Sequence, residues 1–379
     1  MKITDLKTFT VNTGSTNWVF LKVYTDDGIT GLGEGHVATK DEATAAAIME
    51  HKRFLVGKNP FEIERLWQAM YRYPRWRGGP VLNSAISAVE IALWDILGKS
   101  LGVPIYQLLG GACRDRVRLY AHVDGDEPAA AADHAVALVE SGFTAMKTGP
   151  VWASVDGVVA MPPDLAVESD RIGAIREAVG DSVDIMVDAH GRPNLPAAAS
   201  FARRIEQFDI MFLEEATPPE DIDALEWLGA RTTIPLATGE RLFTKWGFTE
   251  IVERHLVNYV QPDIVHAGGI LEMKKIAAMA ESRFIEVAPH NPQSWVSTMA
   301  SLHLDACTPN CVIQEYVYPG PDFQSDLFEG GPIVKEGYAQ LPSGPGLGVD
   351  LNEDEAAKHP YSPVQRPHWV WQDGSVADW

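Results

Sequence analysis

The sequence predicts an α/β protein in two parts: an α+β domain over roughly the first 115 residues, then a parallel β/α barrel. Three observations predict it. Residues 1–35 read as strands and are followed by helical patterns without alternation, as in an α+β domain. From about Val117 short strand-like runs alternate with helical stretches through eight repeats. Six of those strands end on an ionisable residue at near-constant spacing. A doubly wound open sheet is the structural alternative, disfavoured because eight units carry no dinucleotide fingerprint.

In the first domain, residues 8–11 and 18–24 are rich in β-branched and aromatic side chains. Asp26-Asp27-Gly28 signals a turn, and 29–33 a returning strand. Gly31-x-Gly33-x-Gly35 reads as a turn at a strand end. Residues 41–50 are Ala-rich and helical, with Thr39 or Asp41 as N-cap. Residues 61–72 carry apolar groups at helical spacing. The clearest helix covers 83–99, where Ile86, Val89, Leu93, Trp94 and Leu97 form one stripe. In the second part, strands are expected at 117–123, 145–148, 184–188, 210–214, 234–238, 259–262, 285–289 and 311–316. Helices are expected at 129–141, 164–179, 196–207 and 269–281. Beyond Tyr316 the chain is rich in turns and too polar for a core of its own, so it is expected to pack back on the first domain.

Composition narrows the function. Fifty-two acidic against 31 basic residues give a net charge of −21, which disfavours nucleic acid and anionic membranes as partners. No uncharged apolar run reaches about 18 residues, and residues 1–7 lack the apolar core of a signal peptide. A cytoplasmic protein is expected. Cys113, Cys307 and Cys311 are too few for a disulfide framework or thiolate zinc site and are read as buried small apolar residues.

The strand ends carry the chemistry. Asp188, Glu214, Glu240, Asp263, His290 and Glu315 close successive strands, separated by 26, 26, 23, 27 and 25 residues. One β/α unit has about that length, so the spacing sets one ionisable group on each strand at the C-terminal mouth, where barrel enzymes work. A single carboxylate at a strand end is usually a helix cap, but six in register leave that reading behind; Glu215 is assigned to it. Asp188, Glu214 and Glu240 repel one another and need a cation, and an all-oxygen set favours Mg²⁺. His190, two residues from Asp188, faces the same side in a strand. Asp263 and His290 end adjacent strands, where a carboxylate–imidazole hydrogen bond would make the ring a better base. His36, His122, His134 and His303 are read as surface or core residues, and His266-Ala-Gly-Gly as a tight loop.

These residues resemble the enolase superfamily, mandelate racemase subgroup, and within it the galactonate dehydratase-like acid-sugar dehydratases. The resemblance covers nearly the whole chain. It rests on Arg77-Gly-Gly-Pro-Val-Leu-Asn, Ala92-Leu-Trp-Asp-Ile and Leu108-Leu-Gly-Gly-Ala-Cys-Arg-Asp in the first domain. In the barrel it rests on Asp188-x-His190-Gly-Arg, Phe212-Leu-Glu-Glu, Gly239-Glu-Arg-Leu-Phe, Gln261-Pro-Asp-x-x-His-Ala-Gly-Gly-Ile, Ala288-Pro-His and Gln314-Glu. It implies a (β/α)7β barrel at 116–318, an N-terminal cap at 1–115 and a C-terminal segment, 319–379, completing the cap. It implies one Mg²⁺ per chain on Asp188, Glu214 and Glu240. His290, paired with Asp263, would remove the proton α to a carboxylate. His190 would assist loss of the β-hydroxyl, and Glu315 would hydrogen-bond the substrate carboxylate. A homo-oligomer acting on a small sugar acid is expected.

Some positions depart from the family pattern. Many racemases of the subgroup carry Lys-x-Lys on the second barrel strand; here it is Lys147-Thr148-Gly149, which removes the second base and favours one-base elimination. Lys147 is expected to touch substrate, as is Trp295 in the unusual run Asn291-Pro-Gln-Ser-Trp295. The insert 152–163 is longer and more apolar than the resemblance leads one to expect. From the cap, Trp18 in the loop 13–18, and Arg75 and Trp76 in a lid-like segment 73–79, are candidate specificity residues, with packing of the cap on the barrel as the competing role of the two tryptophans. The expected reaction is dehydration of an aldonate to a 2-keto-3-deoxy acid. The alternatives are cycloisomerisation of an anhydro- or lactone-form sugar acid, and a silent homologue that only binds such acids.

Overall fold

The computed structural model describes residues 1–149, 154–155, 158–159, 165–365 and 368–377. The insert 152–163 thus lies largely outside the described residues. The cap opens with an antiparallel sheet: β1 (Ile3–Asn12), β2 (Asn17–Thr25) and β3 (Thr30–Glu34). Helices α1 (Asp41–Glu50), α2 (Ile63–Arg72) and α3 (Pro80–Leu101) follow. Neither expected N-cap acts on α1, which follows Lys40 without a side-chain cap.

The glycine triplet is not a turn. It lies in and just after β3, against α3. A Cβ on Gly31 would sit 2.0 Å from the carbonyl oxygen of Ala92, and one on Gly33 2.0 Å from that of Ala88. The helix backbone rests directly on the strand, which only glycine permits. By length and composition α3 is apolar enough to cross a membrane, yet 83% of its most apolar window is buried within the fold. It is the core helix of the cap.

Eight parallel strands follow: β4 (Arg116–His122), β5 (Ala145–Thr148), β6 (Asp184–Asp188), β7 (Ile210–Glu214), β8 (Leu236–Thr238), β9 (Tyr259–Val260), β10 (Glu286–Val287) and β11 (Gln314–Glu315). Each pairs with its sequence neighbour, the Val287–Cys311 bridge joining the last two. β11 pairs back on β4, Glu315 opposite Tyr120. That closure excludes the open doubly wound sheet. Helices α4 (Pro128–Glu140), α5 (Leu165–Val179), α6 (Leu195–Ile205), α7 (Ile222–Gly229), α8 (Thr244–Glu253), α9 (Ile270–Glu281) and α10 (Trp295–Ala306) fill the seven connections, giving (β/α)7β.

The barrel interior is packed with Tyr120, Ala145, Met186, Phe212, Ala237, Ala288 and Ile313. Side chains alternate along a strand, so residues two positions further on face the same way. Tyr120 is thereby followed by His122, Ala145 by Lys147, Met186 by Asp188, Phe212 by Glu214, Ala288 by His290 and Ile313 by Glu315. This apolar plug is the floor under a polar mouth.

Beyond the barrel, β12 (Phe328–Gly330) pairs with β15 (Val349–Leu351), and the hairpin of β13 (Val334–Lys335) and β14 (Tyr338–Gln340) adds to β4. Lys22 of the cap bonds the Leu351 carbonyl and lies 3.3 Å from both Asp350 and Glu353. The tail thus joins barrel to cap rather than packing on the cap alone. Two cap carboxylates reach the barrel as well. Glu90 accepts the first N–H groups of α9, from Ile270 (2.7 Å) and Leu271 (2.9 Å). Glu34 accepts from Ser294 Oγ (2.6 Å) and Ser297 N (3.0 Å) at the start of α10. Acidic groups at helix N-termini satisfy orphan N–H groups and meet the positive end of the dipole. Of the cysteines, Cys307 and Cys311 are buried and Cys113 is exposed, against the expectation for all three.

Candidate active site

At the C-terminal mouth, Asp188, Glu214 and Glu240 bring one oxygen each to within 4.8 Å of one another. Asp188 and Glu214 end their strands, and Glu240 follows β8 through Gly239, whose φ of +147° and close approach to Gln261 leave no room for a side chain. Burial, reinforced by the neighbouring carboxylates, drives Glu240 well above the usual carboxylate range despite the opposing pull of His290. Burial and Asp188 raise Glu214 in the same way, against Lys147. Three carboxylates held this close do not ionise together without added positive charge. The set is all oxygen, with no thiolate, and fits a hard divalent cation such as Mg²⁺.

Two imidazoles flank the triad. His290 Nδ1 lies 2.7 Å from Asp263 Oδ2, and its Nε2 lies 3.3 Å from Glu240. Burial disfavours its charged form but is outweighed by Glu240, Glu315 and Asp263, so the ring is held well above the ordinary histidine range. His190 Nε2 lies 3.1 Å from Asp188 Oδ2, a different member of the triad. Its backbone is left-handed, φ +51°, and its N–H is bonded to Asp188 Oδ1 at 2.8 Å. Its position comes from this turn, not from the strand alternation expected. Burial, helped by Arg192 and Lys147, lowers His190 to about 3.

Lys147 is buried between Glu214 at 3.0 Å and Glu315 at 2.9 Å, with Asp188 at 3.7 Å. Burial opposes its charge, but Glu214 and Glu315 hold it protonated, well above the ordinary lysine value. Glu315 is kept well below the carboxylate range, because Lys147, His290 and His122 outweigh its burial. Its Oε2 accepts the Asn291 N–H at 2.6 Å, and Oε1 meets His122 Nε2. Glu215 is paired with Arg241 at 2.5 Å and is buried, so it is neither the helix cap nor the solvated residue expected.

Above these groups is a cavity of about 430 Å³. It is lined by Ser15, Thr16, His36 and Ala38 from the cap and by His122, Lys147, Asp188, His190, Glu240, His266, His290, Pro292, Gln293 and Glu315 from the barrel. The expected metal and acid–base residues thus converge: Glu214 as a triad member, Asp263 against His290, the others on the wall. Four expected substrate contacts do not. Trp18 is buried in the cap core, edge-on to Phe20. Trp295 stacks on Phe328, joining α10 to the tail. Arg75 is exposed and Trp76 is 81% exposed, and neither lines the cavity. The loop 13–18 does reach the cavity, but through Ser15 and Thr16 rather than its tryptophan. Of the imidazole- and amide-bearing lining residues, four were not expected there from sequence: His36, His122, His266 and Gln293. Strand parity from Tyr120 marks His122; the others sit on loops, where no periodicity applies.

At the end of β5, a Cβ on Gly149 would come within 3.2 Å of the His190 ring. The residue that replaces the second base thus leaves room for the imidazole beside it.

Residues 4–110 match the mandelate racemase/muconate lactonizing enzyme N-terminal domain, and residues 130–355 match the enolase C-terminal domain-like model. The chain belongs to the mandelate racemase/muconate lactonizing enzyme family. It is 40% identical over 390 residues to D-galactonate dehydratase of Xanthomonas campestris pv. campestris, with both chains fully covered. Against D-galactonate dehydratase of Ralstonia pickettii it is 39% identical over 389 residues, again with full coverage of both. An enolase from Pantoea ananatis, solved with bound D-gluconate and Mg, superposes with a TM-score of 0.92 at 32% identity, covering 99% of each chain. A mandelate racemase/muconate lactonizing enzyme from Jannaschia sp. CCS1 superposes with a TM-score of 0.89 at 34% identity, covering 96% of this chain and 98% of that one.

Proposed function

We infer that the chain is a Mg²⁺-dependent hydro-lyase that dehydrates an aldonate-type, galactonate-like sugar acid to a 2-keto-3-deoxy acid. The full-length D-galactonate dehydratase relatives and the gluconate- and Mg-containing neighbour support that class. The observation in this chain that carries it is a pair of imidazoles against two different members of one carboxylate triad, His190 on Asp188 and His290 on Glu240, with glycine where a second lysine base would stand. That arrangement fits removal of a proton and departure of a hydroxyl better than a two-base racemisation.

Asp188, Glu214 and Glu240 would hold the Mg²⁺. When bound it supplies positive charge where negative charge develops on the substrate carboxylate as the α-proton leaves. A cation held by the triad would offset the negative charge beside His290 Nε2, which lies 3.3 Å from Glu240, and would leave that nitrogen able to accept a proton. Asp263, fixed on Nδ1, keeps that tautomer and stabilises the imidazolium. His290 takes the α-proton. The bond from the β-carbon to oxygen then breaks, and His190 gives the leaving hydroxyl a proton, releasing water. The enol so formed tautomerises to the 2-keto-3-deoxy acid. Lys147, kept cationic, and Glu315 line the substrate side of the mouth. Because Glu315 is ionised against Lys147, its contact with a substrate carboxylate runs through the Lys147 ammonium. Burial and the charges of Arg192 and Lys147 leave His190 neutral in the free chain, and an arriving carboxylate favours its protonation.

The division into a cap (1–115), barrel (116–318) and closing segment (319–379) belongs to the same reading, supported by the closure of β11 on β4 and the Lys22 contacts of the tail. So does a cytoplasmic location, supported by cysteines that are all free, one of them exposed. A homo-oligomeric state is supported by the exposed rings of Tyr73 and Trp76, three residues apart in the chain.

The test is a library of acid sugars assayed for 2-keto-3-deoxy product, with solvent-deuterium exchange at the α-carbon followed in parallel. His290→Asn is expected to stop exchange and product together. His190→Asn is expected to stop product and leave exchange. Exchange that persists without His290 would reverse the roles.

A further inference from the structure

The segment that follows the base is tied down on every side. Asn291 donates its backbone N–H to Glu315 at 2.6 Å, and its side-chain amide to Thr298 at 2.9 Å. Ser294 bonds Glu34 of the cap at 2.6 Å. Between these anchors is Gln293, buried to 3% exposure on the cavity wall. Its Nε2 lies 2.7 Å from Asp263 Oδ2, the oxygen that also meets His290 Nδ1 at 2.7 Å. Asp263 Oδ1 is occupied by the Val265 N–H at 2.8 Å. An ionised carboxylate only accepts hydrogen bonds, so chemistry fixes which end of the amide faces it. Gln293 Oε1 has no partner among the described residues, so the amide is held from the Asp263 side.

We propose that Gln293 is a positioning residue for the base: its amide locks the plane of the Asp263 carboxylate and so aims His290 Nε2 at the substrate α-proton. This rests on the reading of His290 as base. A carboxylate on a short loop can rotate about its terminal torsion, which has no steep staggered wells. Without Gln293, Val265 holds one oxygen and the other is tied only to the imidazole that the carboxylate has to orient. The amide donor on the second oxygen removes that freedom and stabilises the charge that the imidazolium needs as it forms. The cap contributes through Glu34, which holds Ser294 and, with it, the loop carrying Gln293. The alignment of the base is thereby coupled to docking of the cap.

The experiment uses the full chain with Mg²⁺ and the sugar acid that turns over best. Gln293→Met is close in size and has no donor. It is expected to lower kcat by about 10- to 100-fold, the range for a base displaced by an ångström or less, with KM changed less than about 3-fold. The isotope effect from α-deuterated substrate on kcat should rise, because proton abstraction becomes the slow step. In an Asp263→Asn background the same substitution should cost less than about 2-fold, since the residue acts through that carboxylate. Additive losses, or a rise in KM with kcat unchanged, would overturn the proposal and make Gln293 a substrate contact. A wild-type rate would overturn it outright. Should Gln293→Met not fold, Gln293→Glu keeps the shape and replaces donor by acceptor. It is expected to lose at least as much kcat, and wild-type turnover there is equally fatal. His290→Asn run alongside separates the two readings: if exchange survives in it, the base assignment has failed, whereas if exchange stops there and Gln293→Met is normal, only this proposal has failed.

Discussion

Glu90 is the most informative single carboxylate outside the mouth, because it is fully buried where the cap meets the barrel. Its oxygens accept from Ile270 N, Leu271 N and Trp94 Nε1 at 2.7, 2.9 and 2.7 Å. Burial raises it from the ordinary 4.5 to about 7, against the downward pull of those donors and of Lys275. In the unfolded chain it titrates near the ordinary value. The fold therefore favours the protonated form. Glu90's contribution to stability is complete below about pH 4.5, declines as the pH rises, and is gone above about 7. The shift corresponds to about 3 kcal/mol at 1.36 kcal/mol per unit. Glu90→Gln keeps an acceptor for the helix N-terminus and cannot ionise. Urea unfolding of both proteins between pH 5 and 8 isolates the residue, since other titrating groups cancel in the difference. The variant is expected to gain about 2.5 kcal/mol relative to the parent across that range, the remainder of the shift lying below pH 5. Glu90→Ala should instead be destabilised at every pH, because three N–H groups lose their acceptor at about 1–3 kcal/mol for each one left buried. A parent–Gln difference that stays constant from pH 5 to 8 would refute the reasoning and mean that the three donors fully offset the burial.

Further outcomes follow from the same geometry. Glu240→Gln is expected to cut turnover by at least about 10³-fold while leaving the fold intact, because one of three cation ligands is lost; full activity in a chelator-treated sample would exclude the metal reading. Gly33→Ala should destabilise the cap by about 3 kcal/mol or more, since its Cβ would lie 2.0 Å from the Ala88 carbonyl oxygen. Gly28, also in the cap, has φ +78° and open space around it, so Gly28→Ala should cost only about 1 kcal/mol of backbone strain; equal thermal shifts for the two would discount the contact. Trp76→Ala is expected to leave preference among sugar acids unchanged, as the ring is 81% exposed and does not line the cavity, and kinetics on a panel of acids checks this.

The sequence by itself determined the barrel and its acid–base ladder, because both are local periodicities. A strand–helix unit has a fixed length, so Asp188, Glu214, Glu240, Asp263, His290 and Glu315 announce their common height through spacing alone. Strand parity then puts Asp188 and Glu214 on the inner face, and would have put His122 there too had it been counted from Tyr120. What the tertiary structure decided lies where no period operates. His36, His266 and Gln293 come from loops of two domains, and only closure of the cap on the barrel brings them to one wall. Trp18, Trp295 and Trp76 show the converse. An aromatic near a mouth in sequence carries no information about which way it faces, and burial against Phe20 and Phe328, or exposure to solvent, settled each. The Gly31, Gly33 and Gly35 triplet reads as a turn in sequence because glycine has two uses. Only the approach of α3 shows that here it serves contact rather than curvature.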